Sequence, residues 1–444
     1  MPARTIAQAL ALLLIALVAL NFAATTNAQS ANPRLTLTAV NVTGLSQFSQ
    51  EQVVRASGLQ IGAPTTLADL QSAVDRLAKS GAFDSVNYRY ETRATNLTAD
   101  IVVVETKNVL PCLYDNFVWF TTAELDEAVK KRVPFYAAGK LPVTGESANQ
   151  ARAALQDLLH SKGLPGEVSY MPYAPMGGAV SALLFRIDGA AIPIKSVAFS
   201  GEQKVTAQQL ADAAKGLIGQ NYSALDVESY ARAGLLPLYH QRGYLRATFA
   251  PVKVALVDPS SRGPAFDVAL TLSVTEGDQY SLSSINWSGN QAIATTELAK
   301  AFGMSAREVA NTEKIDVGFR NAVRVYNSHG YINAQVLPNA DLDDAQKLAA
   351  YSVTVKEGSQ YHMGSITFEG VSERVANILA KNWKLKPGDI YDSEYTNEFL
   401  SKVLGPELAR NGLKNVKIMS LPQADPTALR VDLRIKLADQ PPAK

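Results

Sequence analysis

One phrase recurs five times along the chain: the end of an amphipathic helix, a cation, a glycine, then a strand. It reads LAKSGAFDSVNYRY from Leu77, LLHSKGLPGEVSY from Leu158, LYHQRGYLRATF from Leu238, VYNSHGYINAQV from Val325 and ELARNGLKNVKI from Glu407. Its glycines are Gly81, Gly163, Gly243, Gly330 and Gly412, spaced 82, 80, 87 and 82 residues apart. A near-constant period means an array of one supersecondary unit. A chain of 444 residues is long enough for several such domains.

Each part of the phrase has a local reason. Glycine takes the left-handed conformation that closes a helix. Lys79, Lys162, Arg242, His329 and Arg410 come one or two residues earlier, against the negative end of the helix dipole. The preceding helices show apolar stripes: Leu67, Leu70, Val74 and Leu77 in the first copy, Val227, Tyr230, Gly234 and Leu238 in the third, Ile315, Phe319, Ala322 and Tyr326 in the fourth. A second helix lies upstream, and Thr206 and Thr295 are its expected caps in the third and fourth copies. Two strands follow the glycine, such as ATFAPVKVALV from Ala247 and FDVALTLSV from Phe266. Opening strands read LTLTAVNVTG, IPIKSVAFSG, YSLSSINWSG and YHMGSITFEG. Glu276-Gly277 and Glu357-Gly358 turn the chain from one unit into the next with hardly any linker, which predicts a semi-rigid array.

The unit is β-α-α-β-β. With Gly243-Tyr244 and Gly330-Tyr331 before the second strand, Glu276-Gly277 and Glu357-Gly358 after the third, and Gly289-Asn290 after the first, it resembles the polypeptide-transport-associated (POTRA) domain. The array is similar to the periplasmic part of BamA- and TamA-type outer-membrane assembly factors. The resemblance implies an α+β fold of tandem repeats, each a small three-stranded sheet covered by two helices, in an elongated array. Expected domains are 33–108, 109–189 (with a divergent start), 190–278, 279–359 and 360–438, with a tail at 439–444. Gly405-Pro406 is expected to kink or restart the second helix of the fifth copy. Only ADQPPAK follows Leu437, so no membrane barrel is expected and insertase activity is not carried over.

Residues 1–28 read as a secretory signal peptide cut near Ala28: Arg4, then the apolar run IAQALALLLIALVALNFAA, then small residues. An uncleaved anchor is the alternative. Of 42 Lys and Arg, only Arg4 precedes Arg34, so the chain beyond residue 28 balances its 41 acidic residues and has no electrostatic footprint for nucleic acid. Cys112 is the one cysteine, expected to be small buried packing. No catalytic, metal or cofactor motif is found. His160, His240 and His329 are expected to be helix-end residues facing solvent, Asp341–Asp344 a solvated hairpin turn, and Trp287 and Phe368 core.

The expected function is therefore non-enzymatic. The resemblance implies a periplasmic array, associated with the outer membrane, that binds unfolded outer-membrane or secreted polypeptides or scaffolds an assembly complex. The alternative is an adaptor docking onto a separately encoded barrel or envelope complex without handling clients. In the POTRA topology the strand after the glycine is a sheet edge, open to β-augmentation by an extended peptide. Proline blunts such edges, and four of the five candidates carry it: Pro172 and Pro175, Pro251, Pro338, Pro422. The first does not. Val86, Asn87, Tyr88, Arg89 and Tyr90 are the first candidate binding edge, and Ile332, Asn333, Ala334, Gln335, Val336 and Leu337 the second.

Overall fold

The computed structural model describes residues 35–439 apart from 176, 262, 414 and 415. The expected signal peptide lies outside these residues. The last strand, Arg430–Asp439, runs one residue into the expected tail, and the rest of the tail is also outside. The fold is α+β, with five small sheets among the described residues. The chain forms two compact units. The first takes in the described residues up to Pro193 together with Asn221–Leu225 and Ala255–Val268, and the second the remainder.

In the first unit, β1 (Leu35–Thr43), α1 (Gln50–Ser57), β2 (Pro64–Thr65), α2 (Leu67–Lys79), β3 (Phe83–Arg93) and β4 (Asn96–Glu105) make a sheet in the order β2-β1-β4-β3. β1 and β4 are parallel, and β3 and β4 form an antiparallel hairpin. Ser49 and Thr66 close reciprocal capping boxes at the two helix starts. Leu70, Val74 and Leu77 pack inward as the periodicity requires, but Leu67 is exposed, because the first helical residue overhangs the sheet. Ala73 takes the fourth core place. A second sheet has the order β6-β5-β8-β7, from β5 (Val109–Tyr114), α3 (Thr122–Arg132), β6 (Lys140–Pro142), α4 (Ser147–Ser161), β7 (Glu167–Tyr173) and β8 (Ala182–Asp188). The two sheets share side chains: Phe135, after α3, sits edge-on to Phe48 and Phe83, both at 5.0 Å, inside the first core. Its divergent opening also has a use. Asp115 is buried and accepts from the Ser223 hydroxyl at 3.0 Å and the Leu225 N–H at 3.3 Å, and Trp119 packs edge-on to Phe266 at 4.9 Å.

The second unit holds β9 (Ile194–Ser200), α5 (Ala207–Ala213) and, from Asp226 on, a long irregular helix, then the fourth and fifth sheets. The irregular helix is α6 (Ala224–Tyr230), a π turn at Ala231–Leu235 and α7 (Leu236–His240). Its buried stripe is Val227, Ala231, Leu235 and Tyr239, not the Tyr230, Gly234 and Leu238 that ordinary helical spacing predicts. The cause is Pro237, which has no N–H to close an α turn. The chain widens instead, and the Leu236 N–H reaches back five residues to the Ala231 carbonyl. Pro406 occupies the same place relative to Gly412, and a π turn at Phe399–Leu404 precedes it, which is how the expected kink is realised. The strands after this helix are β10 (Thr248–Phe249) and β11 (Lys253–Leu256), broken at Ala250–Pro251, then β12 (Val268–Thr275).

The fourth sheet has the order β13-β15-β14, from β13 (Ser281–Ser288), α8 (Thr295–Phe302), α9 (Thr312–Ser328), β14 (Gln335–Asp343) and β15 (Leu348–Lys356). Ile315, Phe319, Ala322 and Tyr326 are all buried, as expected. Thr295 is not the helix cap: Ala294 holds that position and Thr295 is the first helical residue. The fifth sheet repeats the order as β16-β18-β17, from β16 (His362–Glu369), α10 (Glu373–Asn382), α11 (Ser393–Glu398), α12 (Gly405–Arg410), β17 (Val416–Asp425) and β18 (Arg430–Asp439).

The glutamate of the recurrent Glu-Gly does more than turn the chain. Glu276 is buried, and its carboxylate accepts from the N–H groups of Gln203 (2.8 Å), Lys204 (2.9 Å) and Val205 (3.5 Å), pinning the loop after β9. Burial works to raise its pKa, but these donors win and hold it below the ordinary range. Glu105 binds the Ser46, Gln47 and Phe48 amides in the same way. Glu357 takes the Ala292 N–H at 2.8 Å and the Tyr326 hydroxyl at 3.0 Å.

Candidate polypeptide-binding edges

The strands after the recurrent glycine are sheet edges: β3, β7, β14 and β17 each end the order of their sheet. Which backbone groups they present follows from register. In the β3–β4 hairpin only Ala94 and Thr95 lie between Arg93 and its partner Asn96, and Ala94 adopts φ 54°. The closing pair of such a two-residue turn is hydrogen-bonded, and bonded pairs alternate from there. Arg93, Glu91, Arg89 and Asn87 therefore bond to β4. Val86, Tyr88, Tyr90 and Thr92 aim their N–H and C=O groups outward. No other strand pairs with this side among the described residues. Val86 and Tyr88 pack partly into the core, the Tyr88 hydroxyl lies 3.3 Å from Gln71 Oε1, and Tyr90 is exposed. The tyrosines thus share the helix side of the sheet, while Asn87 and Arg89 are exposed on the other side.

The other edges are less open. Pro338, opposite Val353, and Pro422, opposite Leu433, each sit mid-strand where an outward N–H would be. On β7 the Val168 N–H is taken by Gln156 Oε1 at 2.6 Å, and Pro172 lies further along. The second expected edge needs correction. β14 begins at Gln335, not Ile332, and only Gln335, Val336 and Leu337 of that stretch are in the strand. Ile332 packs on the fifth core and the Asn333 amide lies 3.4 Å from the Tyr361 hydroxyl, so the following repeat, invisible to strand propensity, claims them. Ala334 donates its N–H to the Tyr331 carbonyl in the intervening turn.

Polar groups singled out in the sequence do structural work. His160 contacts Gln156 at 2.8 Å, and His329 Nδ1 lies 2.8 Å from the Val325 carbonyl oxygen. His240 is half-buried rather than solvent-facing, and burial lowers its pKa. Asp344 is more than a solvated turn: Arg246 donates to it at 3.1 and 3.2 Å and the Tyr280 hydroxyl also donates. Trp287 and Phe368 pack against their cores as expected. Cys112 is half-buried on β5, and burial, with the charge of Asp126, pushes its pKa up to about 12. Among the described residues no group of three His, Cys, Asp or Glu could hold a metal ion, and no helix is long and apolar enough to cross a membrane.

Residues 35–106 and 280–358 match the POTRA family, described as a surface antigen variable number repeat. The outer membrane protein assembly factor BamA of Buchnera aphidicola is 20% identical over 369 residues, 79% of this chain and 56% of that protein. A protein of Treponema pallidum (strain Nichols) is 27% identical over 167 residues, 37% of this chain and 20% of its own length. The chain thus spans well under two thirds of either relative. The crystal structure of Haemophilus influenzae BamA POTRA3-5 is 20% identical, with a TM-score of 0.41 over 56% of this chain and 96% of that one.

Proposed function

The chain carries POTRA domains, and from that premise we propose that it is a non-enzymatic outer-membrane protein assembly factor, acting in the periplasm after loss of residues 1–28. In this reading it holds unfolded outer-membrane or secreted polypeptides in extended form by adding them to the edge of β3. One observation carries the choice of edge: β3 presents the outward main-chain groups of Val86, Tyr88, Tyr90 and Thr92 with no proline in the strand and no strand beside it among the described residues. An extended client gains main-chain hydrogen bonds there whatever its sequence, which suits a protein with many clients.

The register supplies the test. Tyr88→Pro removes an outward N–H and leaves the β4 ladder whole, whereas Arg89→Pro removes a ladder bond opposite Asp100 and unfolds the hairpin. Tyr88→Ala controls for the lost ring. Binding of a fluorescent peptide of alternating apolar and polar residues to residues 29–444 is read by anisotropy. Tyr88→Pro is expected to weaken it at least tenfold relative to Tyr88→Ala. Equal affinity of the two, both folded by circular dichroism, would remove this edge from the mechanism.

A further inference from the structure

In the first repeat the chain closes the outer side of β1 itself. β2 pairs with its beginning at Leu35 and Thr36. Further along, the carboxamide of Gln50, the first residue of α1, donates to the Val40 carbonyl at 3.1 Å and accepts the Val42 N–H at 3.3 Å. A side-chain amide thus satisfies two outward backbone groups of an edge strand, as a neighbouring strand would.

The fourth repeat has the same frame without that amide. β13 is the edge opposite β14, parallel to β15, with its register shift at Leu282/Ser284 as β1 has at Leu37/Ala39. Ile285↔Tyr351 and Trp287↔Val353 correspond to Val40↔Ala99 and Val42↔Ile101. By that correspondence the Ile285 carbonyl and the Trp287 N–H face outward. The loop bonding through Arg307, Glu308 and Ala310 covers the start of the strand, at Tyr280–Leu282, and among the described residues no hydrogen bond carries it on to Ile285 or Trp287. Where Gln50 stands in the first repeat, the first residue of α8 is Thr295, whose hydroxyl takes the Asn290 amide at 3.0 Å. A cavity of about 210 Å³ lies between β13 and α8, lined by Ile285, Trp287, Thr295, Ala299, Phe302 and Met304. The Trp287 indole N–H is buried and has no hydrogen-bond partner. A buried donor without an acceptor is costly unless something supplies one.

We propose that this groove is a second polypeptide site, on the sheet edge opposite the post-glycine strand. An extended segment places one residue's N–H on the Ile285 carbonyl and its C=O on the Trp287 N–H. An apolar side chain of the segment enters the cavity, and a further carbonyl accepts from Trp287 Nε1. A lone carboxamide meets two of these groups and leaves the cavity unfilled, which favours a peptide. The site rests on the reading that the chain handles polypeptides but uses a different repeat and a different edge from β3.

The test uses residues 29–444 labelled with ¹⁵N-tryptophan, titrated with the same alternating peptide and, separately, with N-acetylglutamine amide. The Trp287 indole resonance is assigned by Trp287→Phe. The peptide is expected to shift it saturably. Thr295→Gln, which installs the first repeat's own amide, and Ala299→Phe, which fills the cavity mouth, should each weaken that titration at least tenfold. Neither should alter the loss of binding caused by Tyr88→Pro. Absence of any Trp287 shift at millimolar peptide overturns the proposal, as does unchanged affinity in folded Thr295→Gln and Ala299→Phe. An equal response to N-acetylglutamine amide overturns the assignment to an extended polypeptide. A saturable Trp287 shift, together with anisotropy binding that is equal in folded Tyr88→Pro and Tyr88→Ala, would refute the β3 reading alone.

Discussion

Replacing Glu276 by alanine should loosen the third repeat more than any other single surface-near substitution there. The carboxylate receives three backbone N–H groups, from Gln203, Lys204 and Val205, two of them within 2.9 Å. Hydrogen bonds to a charged acceptor are worth roughly 1.5–3 kcal/mol each before non-additivity, and water can partly replace them near the surface. Alanine at 276 is therefore expected to cost about 2–4 kcal/mol, and glutamine, which keeps one acceptor oxygen, about half. An array of repeats opens locally, so the readout is hydrogen exchange at core amides such as Leu270 and Leu272 on β12 rather than a global midpoint. By the rule that 1.4 kcal/mol is tenfold, protection should fall by about 30- to 700-fold. The sign with pH follows from the depressed pKa of Glu276. The unfolded carboxyl titrates at about 4.3. The stabilisation is complete above that value and is lost as pH falls through the lower, folded-state pKa, so wild type and Glu276→Ala should converge in acid. Glu357, with a single backbone donor at Ala292, should cost less to remove. Protection unchanged in Glu276→Ala at pH 7, or a difference from wild type that persists undiminished at pH 2–3, would refute the anchoring role.

Other outcomes follow from packing and burial. Gly243 and Gly163 both have positive φ, 82° and 66°, but a Cβ at 243 would lie 2.8 Å from the Tyr280 carbonyl oxygen whereas one at 163 meets nothing within 4 Å. Gly163→Ala should cost only the left-handed strain of about 1–2 kcal/mol, and Gly243→Ala distinctly more, as read by hydrogen exchange across the third and fourth repeats. Phe135→Ala empties the place shared by Phe48 and Phe83 and should destabilise the first repeat by roughly 3–5 kcal/mol, measured as lost protection at Leu97 and Ile101, although residue 135 is 30 or more residues away from both. Cys112, with its pKa near 12, should react with a thiol reagent at pH 8 on the order of a thousandfold more slowly than free cysteine, and denaturant should restore the rate.

Much of the fold was legible from residues alone, because the cues involved are local. Ile315, Phe319, Ala322 and Tyr326 repeat with the period of one helix face, and all four are buried. Pro172, Pro338 and Pro422 exclude a central strand, and their strands are edges. The β-α-α-β-β order is a statement about successive neighbours, and chain chemistry states it plainly. What the tertiary structure decided depends on groups far apart in sequence. Pro237 shifted the buried stripe of the third repeat's irregular helix to Ala231, Leu235 and Tyr239, since a missing N–H changes the turn and not the hydropathy. Ile332 and Asn333 left the predicted strand because the next repeat binds them. Glu276 reads locally as a turn residue, and only folding brings it to amides more than 70 residues earlier. The same holds for the edges: Gln50 closes β1 and Thr295 does not close β13, a difference of one side chain's reach that becomes visible only once helix and strand are side by side.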